Sequence, residues 1–149
     1  MLQMVSPENH RPQPSELNEK CGVFGAFYPD IDSAPETVLG LTGLQHRGQE
    51  SAGIVSSNGS TKLTVRRGDG LVNQVFTRGF NFDRLPGGIS LGHTKYGTSR
   101  VREGANCHLQ PVARRNGRFA FAHNGNLPDH AALDDFFEQK GIPDRGYND

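Results

Sequence analysis

The residue with the clearest chemical potential is Cys21, which separates a polar leader at residues 1–20 from an apolar run at 23–28. A cysteine that heads a mature chain carries a free α-amino group beside its thiol. That amine titrates near about 8 when unperturbed, so it can serve as the general base for the thiol. The leader contains three prolines and no continuous apolar stretch, which favours a removable pro-segment over a secretory signal. The alternative is an ordinary unstructured N-terminus followed by a buried cysteine.

Three more short motifs follow along the chain. They are Leu-Gln-His-Arg-Gly-Gln-Glu-Ser-Ala-Gly-Ile at 44–54, Gly-His-Thr-Lys-Tyr-Gly-Thr at 92–98 and His-Asn-Gly-Asn-Leu at 123–127. Together with 17–25, these motifs resemble in order and spacing the glutamine amidotransferase domain of the amidophosphoribosyltransferase family. Each motif alone is weak, but four in this order form a specific pattern that covers residues 17–149. The resemblance implies a class II amidotransferase with an N-terminal nucleophile.

Hydrolysis of the glutamine side chain passes through a tetrahedral oxyanion, which requires hydrogen-bond donors fixed where the negative charge develops. The resemblance assigns the nucleophile to Cys21 and these donors to Asn124 and Gly125. Asparagine offers a side-chain NH₂, and glycine allows a close approach to its backbone N–H. The alternative from the residues alone is a hairpin turn, because Asn-Gly pairs also occur at 58–59 and 116–117.

Glutamine recognition requires a cation for the α-carboxylate and an anion for the α-ammonium group. The resemblance places an arginine in the Gly-His-x-Arg-Tyr motif as the cation, but Lys95 occupies that position. Lysine keeps the charge and loses the planar fork, so we expect weaker glutamine binding unless Arg100 or Arg102 substitutes. The resemblance assigns the anion to Asp149, the last residue, and we expect a C-terminally truncated domain in which this charge is poorly placed.

Three further residues complete the predicted site. Arg47 is expected to hold the site together near Cys21, where a cation favours the thiolate, rather than to bind substrate. The alternative is a surface arginine after a helix. Tyr96 and Thr98 are expected to shape the pocket wall.

Composition limits the possible partners and the compartment. Sixteen basic residues balance sixteen acidic ones in the 149-residue chain, so no charge excess indicates nucleic acid or a membrane surface as partner. No apolar run is long enough for a membrane span. Two cysteines form neither a disulfide framework nor a zinc pattern, which favours a reducing, cytoplasmic setting and no metal site.

The hydrophobic pattern predicts strands at 21–28, 51–56, 62–66, 88–96 and 119–122, the first and fourth buried on both faces. Asn-Gly turns predict hairpins at 58–59 and 116–117. A capping box of Ser33 and Glu36 predicts a helix that runs to Gly48, residues 71–76 predict a helical turn, and Asp129 is the expected cap of a helix that stops at Gly141. Antiparallel strands with helices on outer faces indicate an α+β layered sandwich. The resemblance makes this the four-layer αββα fold of the N-terminal-nucleophile (Ntn) hydrolases.

The expected domain organisation is a leader at 1–20 and the N-terminal part of an amidotransferase domain at 21–149. The resemblance implies L-glutamine as substrate and, in a further phosphoribosyltransferase domain that is absent here, phosphoribosyl pyrophosphate (PRPP) with Mg²⁺. It implies no cofactor in this segment, does not decide whether an iron–sulfur cluster is present, and favours a homo-oligomer at full length. Two alternatives stay open: a class II glutaminase that serves a different synthase, and a non-catalytic remnant or ligand-sensing module.

Overall fold

The computed structural model describes residues 21–96, 109–114, 116–125 and 131–142. Four strands form one antiparallel sheet in the order β1-β4-β2-β3, and two shorter strands, β5 and β6, form a second antiparallel sheet. The strands are β1 (Cys21–Phe27), β2 (Ser51–Ser57), β3 (Thr64–Asp69), β4 (Ile89–Lys95), β5 (Val112–Arg114) and β6 (Phe119–Phe121). The helices are α1 (Ala34–Gly43), α2 (Val72–Val75) and α3 (Ala131–Gln139), with 3-10 turns at Gln45–Arg47 and Phe82–Arg84.

Helices α1 and α2 cover one face of the four-stranded sheet. Leu41 of α1 and Ile54 of β2 are fully buried there, in a cluster that includes Val72 of α2. The helix lies so close to β4 that a Cβ atom on Gly92 would come within 2.6 Å of Thr37 Cγ2. The core therefore depends on the absence of a side chain at this position of the central strand.

The segment that contains β5 and β6 packs against the opposite face of the sheet. A Cβ atom on Gly53 of β2 would collide with the carbonyl oxygen of Gln110. Arg67 of β3 also donates from Nη1 to the carbonyl oxygens of Leu109 (2.8 Å) and Pro111 (3.2 Å). Helices, sheet and second sheet are thus three successive layers of the expected αββα arrangement.

The prediction that β1 is buried on both faces is wrong. Val23 and Phe27 of β1 are 37% and 68% exposed, and Ile89 at the adjacent end of β4 is 52% exposed. The described part of the second layer contacts β2, β3 and β4. The apolar residues of β1 indicated a strand, but whether its second face is covered depends on residues far away in the chain.

Most other predicted elements are confirmed. The structure confirms the α+β class, both hairpins, the turn at α2 and the stop of the last helix at Gly141 (φ 62°). Strand β4 lies within one residue of its predicted ends, whereas β3 is Thr64–Asp69 rather than 62–66. The capping box is wrong, because the Ser33 hydroxyl lies within hydrogen-bond distance of Gly87 O (3.2 Å) and Ser90 Oγ (2.8 Å) and makes no side-chain cap of α1. The helix ends at Gly43 rather than Gly48, and a 3-10 turn follows.

Some predictions fall on residues outside the described ranges. Among the predicted segments and helix caps, these are the leader at 1–20 and the cap at Asp129. Among the described residues, no helix combines the length and apolar character that a bilayer crossing requires.

Candidate active site

One row of residues crosses the four-stranded sheet at the end where β1 begins. The register pairs Cys21 with Lys95, Lys95 with Ser51, and Ser51 with Asp69. Residues directly opposite in antiparallel strands point to the same face, so these four side chains share the face that the second layer covers. Lys95 is only 6% exposed and Ser51 2%, whereas Cys21 is half-buried. The strand pairing therefore sets a buried lysine beside the predicted nucleophile.

Arg47 reaches the same row from the 3-10 turn. Its Nε donates a 3.0 Å hydrogen bond to the carbonyl oxygen of Cys21. The predicted position of Arg47 beside Cys21 agrees with this contact, although its effect on the thiol stays a prediction. The guanidinium fixes the main chain of the first strand residue and brings a second cation to the row.

The rest of the 44–48 motif holds the turn in place. The side-chain amide of Gln45 accepts from Val72 N (2.7 Å) through Oε1 and donates to Gly48 O through Nε2. Gly48 lies against the central strand, where a Cβ atom would meet the Thr94 and Lys95 backbone at 2.6 to 2.8 Å. Through these contacts, the motif connects the turn that contains Arg47 to α2 and to the central strand.

Gly22 has a steric role next to the nucleophile. A Cβ atom there would lie 2.7 Å from Thr94 Oγ1 and 2.9 Å from Leu44 Cβ. The Cys-Gly pair therefore lets the first strand approach both the central strand and the end of α1.

A second row lies two residues further along the same face. Val23 pairs with His93, His93 with Gly53, and Gly53 with Arg67. His93 is fully buried, and its Nε2 lies 3.0 Å from the carbonyl oxygen of His123. His123 immediately precedes the predicted oxyanion pair, so this contact ties that pair to the sheet.

The protonation of His93 follows from its contacts. A carbonyl oxygen only accepts, so Nε2 carries the proton, while the buried Nδ1 has no hydrogen-bond partner among the described residues. Burial is the main cause that lowers the pKa of His93 to about 4; the hydrogen bond to His123 O opposes this shift, and the charges of Lys95 and His123 add to it. The ring is therefore neutral near pH 7, in the Nε2–H tautomer.

Asn124 and Gly125 are both exposed, and Gly125 has a φ of 151°. A Cβ atom on Gly125 would come within 3.0 Å of the imidazole Nε2 of His123, so a side chain there would be crowded. The connection from this pair to the Cys21 row runs through His93, which hydrogen-bonds to the preceding residue, His123. The Cα atom of His93 is a diagonal neighbour of Cys21 across the two strands, at about 7–8 Å.

The remaining predicted residues are less informative. Tyr96 follows the central strand and is 44% exposed. Thr98, Asp149, Arg100 and Arg102 lie outside the described residues. The roles assigned to these side chains stay predictions.

Sequence analysis missed the polar residues that support the site rather than react. Gln45 and His93 both stand inside the motifs that carry the family resemblance, which was the available signal for them. Gln110 and Arg67 carried no such signal, because their partners are 13 residues or more away in sequence.

A groove of about 590 Å³ opens at the opposite end of the sheet, lined among others by Tyr28, Asp32, Asn58 and Gly87. None of the predicted site residues lines it. Within the described ranges, no group of three or more His, Cys, Asp or Glu side chains could hold a metal ion.

The burial of His93 predicts a specific dependence of stability on pH. An unfolded histidine gains a proton near pH 6.5, whereas the folded ring stays neutral down to about pH 4. The contribution of His93 to the free energy of unfolding is therefore full above pH 6.5 and is lost as the pH falls toward 4. Between pH 7 and pH 5, the free energy of unfolding measured with urea should fall by about 2 kcal/mol more in wild type than in His93→Gln.

His46→Gln is the matched control, because His46 is exposed and should leave the wild-type dependence unchanged. Equal slopes for wild type and His93→Gln would show that His93 is not buried as a neutral ring.

Comparisons with known proteins place the chain in a family. No family model matches it. It is similar to the amidophosphoribosyltransferase of Rattus norvegicus, with 46% identity over 127 residues, 80% of this chain and 24% of the rat protein. The amidophosphoribosyltransferase of Lacticaseibacillus casei is 44% identical over 135 residues, 87% of this chain and 66% of that protein.

The fold is similar to a solved structure of the glutamine phosphoribosylpyrophosphate (PRPP) amidotransferase from B. subtilis, complexed with ADP and GMP. The TM-score is 0.68 at 36% identity, and the match covers 83% of this chain and 26% of that one. The chain spans about a quarter of the length of the rat relative it matches. The identity and the shared fold show that this chain belongs to the amidophosphoribosyltransferase family.

Proposed function

We propose that this chain is the glutaminase part of an amidophosphoribosyltransferase. The observation that carries the proposal is the row at the start of β1. There Cys21 lies opposite the buried Lys95, and its carbonyl oxygen accepts a hydrogen bond from Arg47. Two cations beside a thiol favour a substrate that carries a carboxylate and whose amide develops a second negative charge during the reaction. The name of the solved relative, a glutamine PRPP amidotransferase, supports glutamine as the amide substrate.

In the proposed mechanism, Cys21 Sγ attacks the side-chain amide carbon of glutamine. The thiol proton passes to the α-amine of Cys21 and from there to the departing nitrogen, so the C–N bond breaks and ammonia leaves. The Asn124 side chain and the Gly125 N–H stabilise the oxyanion of the tetrahedral intermediate. Water then attacks the thioester, which releases glutamate and returns the thiol.

Substrate recognition in this proposal rests on charge. Lys95 binds the α-carboxylate and Asp149 the α-ammonium group, while Tyr96 and Thr98 line the pocket. Arg47 supports the Cys21 main chain, consistent with its 3.0 Å hydrogen bond. The burial of Lys95 favours this role, because an ammonium group held out of water attracts a carboxylate more strongly.

The matched region is about a quarter of the rat amidophosphoribosyltransferase, so the complete reaction is proposed for a longer protein that contains this chain. In the full enzyme we propose that the ammonia displaces pyrophosphate from PRPP, with Mg²⁺, to form phosphoribosylamine for purine biosynthesis. We assign that step to a further domain. We also propose that the whole enzyme forms a homo-oligomer and is located in the cytoplasm.

A non-catalytic, ligand-binding module is the second candidate function. One observation favours it: Lys95 stands where the resembled motif carries arginine, so the bidentate grip on a carboxylate is lost.

The first prediction concerns the amine of Cys21. A protein that starts at Cys21 should hydrolyse glutamine, whereas one that retains residues 1–20 should not, because an amide nitrogen cannot act as the base. Intact mass identifies the N-terminus, and glutamate release measures turnover. A single glycine added before Cys21 is the matched control, since it blocks the amine without the bulk of the leader. Full turnover in a protein whose mass shows the leader retained would contradict the proposal.

The second prediction concerns the oxyanion pair. Asn124→Ala should lower kcat about 10²–10³-fold with a smaller change in KM, because its amide acts mainly in the transition state. Asn58→Ala is the control, since Asn58 also precedes a glycine but lies in the β2–β3 turn. An effect on KM alone would identify Asn124 as a turn residue or a ground-state contact.

The third prediction concerns Lys95, tested in a protein that continues beyond Asp149. Lys95→Met keeps most of the side-chain volume and removes the charge, so it should raise KM for glutamine about 10- to 100-fold with little change in kcat. Lys95→Arg keeps the charge and restores the fork, so KM should stay or fall. An unchanged KM in Lys95→Met would assign the carboxylate to another cation. A protein that lacks turnover even as Lys95→Arg with a free Cys21 amine would favour the non-catalytic module.

A further inference from the structure

The main chain of His123 is held on both sides by buried or half-buried side chains. Its carbonyl oxygen accepts from His93 Nε2 at 3.0 Å, and its N–H donates to Gln110 Oε1 at 2.6 Å. The next two residues are Asn124 and Gly125. These two hydrogen bonds, named here the His123 clamp, therefore fix the peptide that leads directly into the Asn-Gly pair.

The clamp is carried by a single row of the sheet. His93, Gly53 and Arg67 are register partners on three neighbouring strands. Gly53 leaves room for the Gln110 carbonyl, and Arg67 Nη1 binds the carbonyl oxygens of Leu109 and Pro111 on either side of Gln110. Both hydrogen-bond partners of His123 are thus anchored to the sheet.

The clamp row and the Cys21 row are adjacent on the same face. Val23, which faces His93, is two residues after Cys21, a separation of about 7 Å along a strand. A shift of the His123 peptide would therefore change the position of the Asn-Gly pair relative to the thiol.

We propose that His93 and Gln110 are positioning residues that hold Asn124 and Gly125 for transition-state stabilisation at Cys21, an inference that rests on the proposed glutaminase function. Neither side chain needs to touch the substrate. Oxyanion donors act only when they are fixed in advance, and a displacement of about 1 Å can cost up to about 10²-fold in rate. The clamp supplies that fixation through two hydrogen bonds to one residue.

The chemistry of the clamp allows matched substitutions. The carbonyl of His123 requires a donor at the Nε2 position, which the side-chain NH₂ of glutamine can approximate and leucine cannot. The N–H of His123 requires an acceptor, and Gln110→Met removes it while nearly preserving length. Gln139→Met is the control, because it makes the same change at an exposed position of α3 that the clamp does not use.

The kinetic test compares these variants in glutaminase-active protein. His93→Leu and Gln110→Met should lower kcat about 10- to 100-fold with KM for glutamine little changed. His93→Gln should recover most of the lost kcat, and Gln139→Met should match wild type. A wild-type kcat in His93→Leu, or losses confined to KM, would overturn the positioning role while the glutaminase function stands.

A spectroscopic test is independent of turnover. In ¹⁵N NMR, His93 should show the neutral Nε2–H tautomer at pH 7, and the His123 amide should be protected from hydrogen exchange in wild type but not in Gln110→Met. An Nδ1–H or charged ring, or an unprotected His123 amide, would overturn the clamp. Absence of turnover in wild type would instead overturn the glutaminase proposal, and these signals would then decide whether the clamp exists.

Discussion

The antiparallel pairing of β4 with both of its neighbours is the constraint on which the candidate site depends. Because β4 lies between β1 and β2, each of its residues faces two partners: Lys95 faces Cys21 and Ser51, and His93 faces Val23 and Gly53. A slip of one residue would turn all these side chains toward the helices. One register therefore sets which cation stands beside the thiol and which imidazole supports the second layer.

Close packing specifies that register at positions that carry no side chain. Gly92 leaves space for α1, Gly53 for the Gln110 carbonyl, and Gly48 for the main chain at Lys95. Gly92 faces the helices and Gly53 faces the second layer, so a one-residue shift of either strand would put a side chain into its contact. The glycines of this chain thus do more than form turns, because three of them allow layers to approach where the site is built.

Local patterns predicted the elements, but not the contacts between them. Asn-Gly pairs and alternating apolar residues indicated both hairpins, since turn chemistry acts within a few residues. Ser33 and Glu36 fitted a capping box, yet Ser33 bonds to Ser90, 57 residues away. The motifs were enough to indicate Cys21, Arg47 and Lys95 as site residues. The support from Gln110 and Arg67, in contrast, depends on long-range packing that no local pattern encodes.

The neutral state of His93 connects the electrostatics of the site to its geometry. Lys95 and Arg47 already bring two cations to the Cys21 row. A protonated His93 would add a third positive charge near Lys95 and place a buried N–H at Nδ1, where the described part of the chain offers no acceptor. An unsatisfied buried donor costs about 1–3 kcal/mol, and more when charged. Burial excludes the charged ring, and the His123 carbonyl oxygen, which can only accept, places the remaining proton on Nε2. Charge state and hydrogen bond are therefore two consequences of one packed position on the central strand.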